Sequence, residues 1–395
     1  MKVAQISIGR FHHFHLARQL QRHGLLDAIY TGYPRVKLRD ELGVPPEKIR
    51  CFPWLQAPYM VRGRFGLGGP RISREWEWWA RRSLDAYAAF RMASPEVPNA
   101  LIALSGCGLN SGRQVQRHGG RYFCDRGSSH IRFQDDILRE EHKRWGFPFN
   151  GIDPRIIERE EAEYAASDGI LVPSEFVRQS FLSQGVPANR LFKVPYGARL
   201  DRFHPSGEPD PAKFSVLFVG QVSLRKGFLD LLDAFSRFSH PAKELRVIGS
   251  VSPEVREWLA SRPAPEGVNF LGIQPNAQLR QHYSEANALV LPSIEEGLSM
   301  VMGEALACGC PVIATPNTGA ADLFTDGSEG FMVPIRDPSA MVARFDQLAQ
   351  DSDLRARMRV AAVARVGAIG GWDVYGDRIK EIVLSSIREE SAELI

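Results

Sequence analysis

The sequence predicts an α/β protein built from two facing, Rossmann-like, doubly wound domains with a deep cleft between them. Three observations carry this expectation. Short apolar runs alternate with helical patterns along most of the chain. The alternation breaks in a polar, Pro-bearing stretch from Phe203 to Lys213 and restarts cleanly at Val216. A length of 395 residues is long for one domain and comfortable for two.

The first half opens with an apolar run, Val3 to Ile8, closed by Gly9. Helical spacing follows at Phe14, Leu16, Ala17 and Leu20, with Gly24 at a C′ position, and Ala28 to Tyr30 is the next strand. A strand–turn–helix–strand opening is how an open parallel sheet begins. No GxGxxG fingerprint follows the first strand, which removes the main support for a dinucleotide-dependent oxidoreductase. Pro34 to Gly69 is rich in Pro and Gly and reads as loops and short pieces. Leu101–Leu104, Arg121–Cys124 and Gly169–Val172 read as strands, and Ile131–Trp145, Arg155–Ala166 and Phe176–Gln184 as helices, the last capped by Ser174. This domain is expected over 1–197. The second, over 198–373, has strands at Val216–Val219, Leu245–Ile248, Val268–Leu271, Ala288–Leu291 and Val312–Ala314. A last helix, about 374–395, is expected to pack back on the first domain.

Charge is nearly balanced at +3, so no global field favours nucleic acid. The five cysteines show no ligand spacing and read as reduced thiols of a cytoplasmic enzyme. The N-terminus lacks a signal-peptide core, and no apolar window is long enough to span a bilayer, so a soluble protein is expected. Between Arg62 and Arg82, arginines (Arg62, Arg64, Arg71, Arg74, Arg81, Arg82) interleave with Trp76, Trp78 and Trp79. This stretch fits either peripheral contact with anionic lipid or a helix that buries part of its Trp.

Chemistry concentrates where strands end, because ligands of open α/β sheets gather at the carboxyl ends of strands. Gly9, Arg10, His12 and His13 follow the first strand, and Asp125 to His130 follow another. In the second half, Leu289 to Thr315 is a strand–loop–helix–strand unit carrying Glu295, Glu296 and Glu304. Gly297, Leu298 and Ser299 are expected to open its helix, with free N–H groups able to bind an anion. Glu296 and Glu304, eight residues apart, would span roughly 12 Å of helix rise. Upstream, the loop Gly220 to Gly227 holds Gln221, Arg225 and Lys226, and Gly249-Ser250 ends another strand. Asp351-Ser-Asp353 and Asp135-Asp136 read as solvated helix surface, so no metal is expected.

These segments carry a resemblance. VPSEFVRQSFLSQGV, VPYGARLDRFHP, LFVGQVSLRKGF and LPSIEEGLSMVMGEALACGCPVIAT occur in order, and over roughly residues 160–340 the chain resembles the retaining family 4 glycosyltransferases of the GT-B fold (glycosyl transferases group 1). The resemblance implies a hexose moved from a nucleotide-diphosphate sugar to a hydroxyl of a sugar or lipid-linked saccharide, in cell-envelope, polysaccharide or glycolipid biosynthesis. It implies no cofactor. It puts Glu296 on the donor sugar, Glu304 on the ribose, Lys226 on the diphosphate, and a first-domain histidine, here His130, over the reacting centre. Gly249 and Ser250 would help read the base, and Gly9, Arg10, His12 and His13 would line the acceptor side. Two departures stand out. The family's Arg after the strand glycine is Gln221 here, leaving Arg225 to supply that charge, and His130 lacks a neighbouring acid, leaving Asp125 or Glu141 to orient it. A GT-B sugar-nucleotide epimerase and an inactive sugar-nucleotide-binding module stay open as alternatives.

Overall fold

The computed structural model describes residues 1–62, 69–93 and 97–393. Seven strands form the first sheet: β1 (Val3–Ser7), β2 (Leu26–Thr31), β3 (Ile49–Cys51), β4 (Ala100–Leu104), β5 (Arg121–Asp125), β6 (Gly169–Val172) and β7 (Leu191–Lys193). Six form the second: β8 (Phe214–Val219), β9 (Lys243–Ile248), β10 (Val268–Gly272), β11 (Ala288–Leu291), β12 (Val312–Ala314) and β13 (Gly330–Met332). Their orders are β3-β2-β1-β4-β5-β6-β7 and β10-β9-β8-β11-β12-β13, with parallel pairing throughout. In each sheet the chain reverses its direction of travel at the first strand, so a crevice opens between β1 and β4 and another between β8 and β11. The loops leaving both crevices line one cleft.

Central strands here are buried on both faces, which is why they appear as unbroken apolar runs rather than alternating ones. All of β1, β8 and β11 is buried. Each fully buried Val, Leu or Phe of these strands contributes about 1.5–3 kcal/mol, so the sheets hold the loops at their ends firmly.

Three strands were not expected: β3, β7 and β13. Each is an edge strand of three residues, too short to show a period. The expected loop region 34–69 also holds a short helix, Gln56–Val61. From Arg71 onward the basic and aromatic stretch lies in a 22-residue helix, Pro70–Arg91. Its buried stripe is Ala80, Leu84 and Ala88, while Trp76 and Trp78 are half-buried and Trp79 is exposed. Arg64 lies outside the described residues. Asp135, expected on a solvated face, is buried: it accepts the Ile152 amide at 2.6 Å and Arg139 at 2.7 Å, fixing the loop ahead of the helix Pro154–Ala166. Asp351 is exposed and caps the helix Ser352–Ile369.

The chain crosses between the sheets after β7 and returns at Gly370–Gly371, and the two crossings bridge at Ala198 and Gly371. Gly197 packs so closely on the backbone of Gly371 that a Cβ would overlap it. The final helix, Trp372–Glu393, lies on the helix His13–Arg22 through Trp372 stacked on His15 (4.0 Å) and Asp377 paired with Arg22 (2.9 Å). The five cysteines are all unpaired. Among the described residues no helix is long and apolar enough to cross a membrane.

Candidate active site

The cleft has a volume of about 800 Å³. Its second-domain wall comes from two loops. After β8, Gly220 and Gln221 face the cleft, followed by Arg225 and Lys226. After β11, Glu296 to Val301 face it from the opposite side of the crevice. Lys226 Nζ forms an ion pair with Glu296 Oε1, and the Ser293 hydroxyl donates to Glu296 Oε2 at 3.3 Å. The helix of this loop starts at Met300, with Ser299 as its N-cap. Glu296 therefore precedes the helix, and the span to Glu304 is not one continuous helical rise. The Ser299 amide is also engaged, donating to Thr318 O at 3.2 Å. An anion would meet the Met300 and Val301 end of the helix, whose first N–H groups have no partner within the helix.

Arg225 was expected to supply a phosphate cation. Its Nε instead donates to Glu295 Oε2 at 2.8 Å and to Glu295 O at 3.1 Å. Glu295, given no role by the resemblance, is fully buried and joins the domains: it accepts the Ser129 amide (3.0 Å), the Ser129 hydroxyl (2.7 Å) and Gln134 Nε2 (2.8 Å) from the first domain. Burial pushes its carboxyl up, but Arg225 and these donors outweigh burial and hold it below the usual range. Beside it, Gly297 sits so close to Gly127 O that a Cβ would overlap that carbonyl. Ser174 Oγ donates to Gly297 O at 2.6 Å. The loop needs glycine at 297 for this close approach.

On the first-domain wall, His12 N-caps the helix after β1, and its ring stacks on Tyr196 (4.4 Å). His12 Nε2 lies 2.8 Å from Asp125 Oδ2, at the end of β5. Burial raises the Asp125 carboxyl, yet the charge and hydrogen bond of His12 more than offset this and leave it lowered. An ionised carboxylate only accepts, so Nε2 carries a proton, and in the neutral form of the ring Nδ1 is left as the acceptor. His13 is fully buried behind it, its Nε2 3.4 Å from Asp125, and burial lowers its pKa to about 3. Nitrogens of His12 and His13 and an oxygen of Asp125 lie within 4.8 Å of one another, so these three could also ligate a metal ion.

His130 does not line the cleft. It N-caps the helix Ile131–Trp145, accepting the Arg132 amide at 3.3 Å, and its ring packs against Phe181 (4.9 Å) and Tyr164 (5.1 Å). Burial lowers its pKa to about 4. The cause is one residue upstream: Ser129 turns towards Glu295, and the next side chain turns inward. Neither acid expected to orient His130 does so. Asp125 pairs with His12, and Glu141 accepts Trp145 Nε1 (2.7 Å) and Arg336 Nε (2.7 Å).

Glu304 is half-buried on the helix Met300–Ala307 and accepts Tyr283 OH at 3.0 Å. Burial raises its pKa to about 7, against the pull of Tyr283 and Arg199. Gly249 packs on Gly220, where a Cβ would overlap the Gly220 carbonyl, and Ser250 O accepts the Val222 amide at 2.9 Å. Both thus shape the Gly220–Gln221 turn from behind. Gly9 accepts the Ser7 hydroxyl at 2.9 Å, and Arg10 pairs with Glu41 at 2.8 Å.

Comparison with known proteins bears on the fold. Residues 201–365 match the family described as glycosyl transferases group 1. The D-inositol 3-phosphate glycosyltransferase of Streptomyces scabiei is 31% identical over 216 residues, covering 49% of this chain and 48% of that protein. The chain thus spans about half the length of this curated relative. Among solved structures, sucrose-phosphate synthase from Thermosynechococcus elongatus superposes with a TM-score of 0.75 at 19% identity, covering 98% of this chain and 100% of that one. Anabaena HepE, solved in complex with UDP-glucose, superposes with a TM-score of 0.68 at 15% identity over 98% and 100% of the two chains. These likenesses establish the two-domain GT-B fold. The family match itself lies within the second domain, residues 201–365.

Proposed function

We propose that the protein is a retaining glycosyltransferase that moves a hexose from a nucleotide-diphosphate sugar to a hydroxyl of a saccharide acceptor. The observation that carries this reading is the Lys226–Glu296 pair beside the start of the Met300–Ala307 helix, facing His12 across the cleft. The diphosphate would draw Lys226 from Glu296 and receive the first amides of the helix, releasing the Glu296 carboxylate for the sugar hydroxyls. The bond from the sugar C1 to the diphosphate oxygen breaks, and a bond from C1 to the acceptor oxygen forms on the same face. The acceptor proton passes to the leaving phosphate oxygen. His12 Nδ1 accepts from a sugar or acceptor hydroxyl, and Asp125 holds the ring in that tautomer. Glu304 accepts from the ribose hydroxyls.

The reaction needs no metal in this reading, with Lys226 and the helix start neutralising the diphosphate. Glycolipid or polysaccharide assembly at the cytoplasmic face of the membrane fits the exposed Trp54, Ile72 and Trp79 near Arg71 and Arg82. Three other arginines of that stretch are engaged inside the first domain: Arg62 with Ser73, Arg74 with Gly151 O and Arg81 with Glu77. Sedimentation with phosphatidylglycerol vesicles, against phosphatidylcholine alone, tests the membrane contact.

A thermal-shift screen of nucleoside diphosphates and their sugars tests the donor reading. One base should stabilise the protein, and the anomeric configuration of the transferred sugar, read by NMR, should match the donor's in the presence of EDTA. Failure of every nucleotide to bind would overturn the function.

A further inference from the structure

The cleft carries a second group of cations that the transfer chemistry does not use. Arg10 and Arg18, before and on the helix His13–Arg22, line it from the first domain, and Arg199 and Arg202 line it from the crossing between domains. These four form one cluster. Arg18 is lowered from its ordinary pKa first by burial and then, against Glu41, by Arg199, Arg10 and Arg202.

Counter-charge is short. Glu41, whose side chain is fully buried, accepts Arg18 Nη1 at 2.7 Å and Arg10 Nη2 at 2.8 Å. Asp201 accepts Arg199 at 3.1 Å and lies 3.8 Å from Arg202. Counting Glu304, on which Arg199 also pulls, four guanidiniums meet three carboxyl groups, one of which titrates at about 7. An excess positive charge remains beside the cleft at neutral pH. His15, 3.4 Å from Arg18, supplies no counter-charge, since an imidazole is either neutral or cationic. Phe11, half-exposed on the same rim, offers a flat apolar face of the kind a sugar ring packs on.

We propose that the acceptor is an anionic saccharide or polyol, and that Arg18 and Arg199, flanked by Arg10 and Arg202, hold its phosphate or carboxylate group. Guanidinium pairs suit this role because they grip planar or tetrahedral oxyanions with two parallel hydrogen bonds. The donor diphosphate is served by Lys226 and the Met300 helix start, so the Arg cluster is left for the other substrate. The proposal rests on the glycosyltransfer reading, and its test separates the two.

Wild-type protein, free and saturated with UDP, is titrated calorimetrically with glucose 6-phosphate, glucuronate and glucose. At least one anionic sugar should bind roughly tenfold or more tighter than glucose, and the better of the two identifies the group as phosphate or carboxylate. Arg18→Gln and Arg202→Gln, singly and together, should remove that preference while UDP affinity stays within about twofold. Arg202→Gln alters an exposed side chain and guards against a folding defect in Arg18→Gln. Equal binding of all three sugars, or a preference that survives both substitutions, overturns the proposal. A matching loss of UDP affinity would assign the cluster to the donor and overturn it too. If neither UDP nor any other nucleoside diphosphate binds, the transfer reading fails, while the titration of the free protein still decides whether the cluster is an anion site.

Discussion

On the second-domain wall of the cleft, the charged groups come from two continuous loops, Gln221 to Lys226 and Glu295 to Val301, and they are satisfied within that wall or across the seam. On the first-domain wall, the corresponding groups come from chain positions far apart: His12 after β1, Asp125 at the end of β5 and Tyr196 at the crossing. The Lys226–Glu296 pair is self-neutralising and partly reachable by solvent, so a diphosphate can open it. The His12–Asp125 pair is buried, so in the proposed reaction it stays made. One wall is built to exchange partners and the other to hold a fixed geometry, which is the division of labour electrostatic preorganisation requires.

The comparison breaks most readily at Lys226. Lys226→Ala should lower nucleoside diphosphate release by about 100- to 1,000-fold, measured under saturating donor and acceptor; an unchanged rate would remove the exchangeable wall from the mechanism. His12→Ala should cost about 100-fold in turnover and should also lower the melting temperature, because the buried Asp125 carboxylate loses its partner. His130→Ala should spare turnover while losing about 2–4 kcal/mol of stability from its buried site, so turnover and not stability separates the two. Rates that fall in His130→Ala and hold in His12→Ala would reverse the assignment. Glu295→Gln sharpens the role of the seam. Replacing one oxygen by an amide that cannot accept from Arg225 or Gln134 should cost about 1–3 kcal/mol, and small-angle scattering should show a larger radius from domain opening.

The smallest effect is expected at Glu304. A ribose clamp must accept, so donor affinity should fall as pH drops through about 7, by about fourfold between pH 8 and 6.5 if only the carboxylate binds. Glu304→Gln should flatten that profile. The stability linkage has the opposite sense. The folded carboxyl binds its proton more tightly than the unfolded one, so its contribution is complete below the ordinary Glu range and is lost as pH rises through 7. Wild type should therefore lose melting temperature relative to Glu304→Gln on going from pH 5 to pH 8.

Elements buried on both faces were legible because burial writes an unbroken apolar run, as at β8 and β11. The edge strands β3, β7 and β13 were not, since three residues carry no period and their pairing depends on the strand beside them. The same division runs through the site. Lys226 and Glu296 could be read because each lies in a loop whose neighbours in sequence are also its neighbours in space. The inward turn of His130 was not legible because nothing in Ser128-Ser129-His130-Ile131 shows that Ser129 is drawn across the seam by Glu295.

By itself, then, the sequence determined two parallel-sheet domains, the break between them, and the loop chemistry of the second-domain wall, all of which rest on interactions within about one strand–helix unit. Tertiary structure alone decided which histidine meets Asp125, that Glu295 and not Glu296 joins the domains, and that Arg10, Arg18, Arg199 and Arg202 converge on one rim. Those outcomes depend on the registers of β1 with β4 and of β4 with β5, and on how close Gly127 and Gly297 bring the two walls. Distances of that kind are set by the packing of whole sheets, and no local pattern in the chain encodes them.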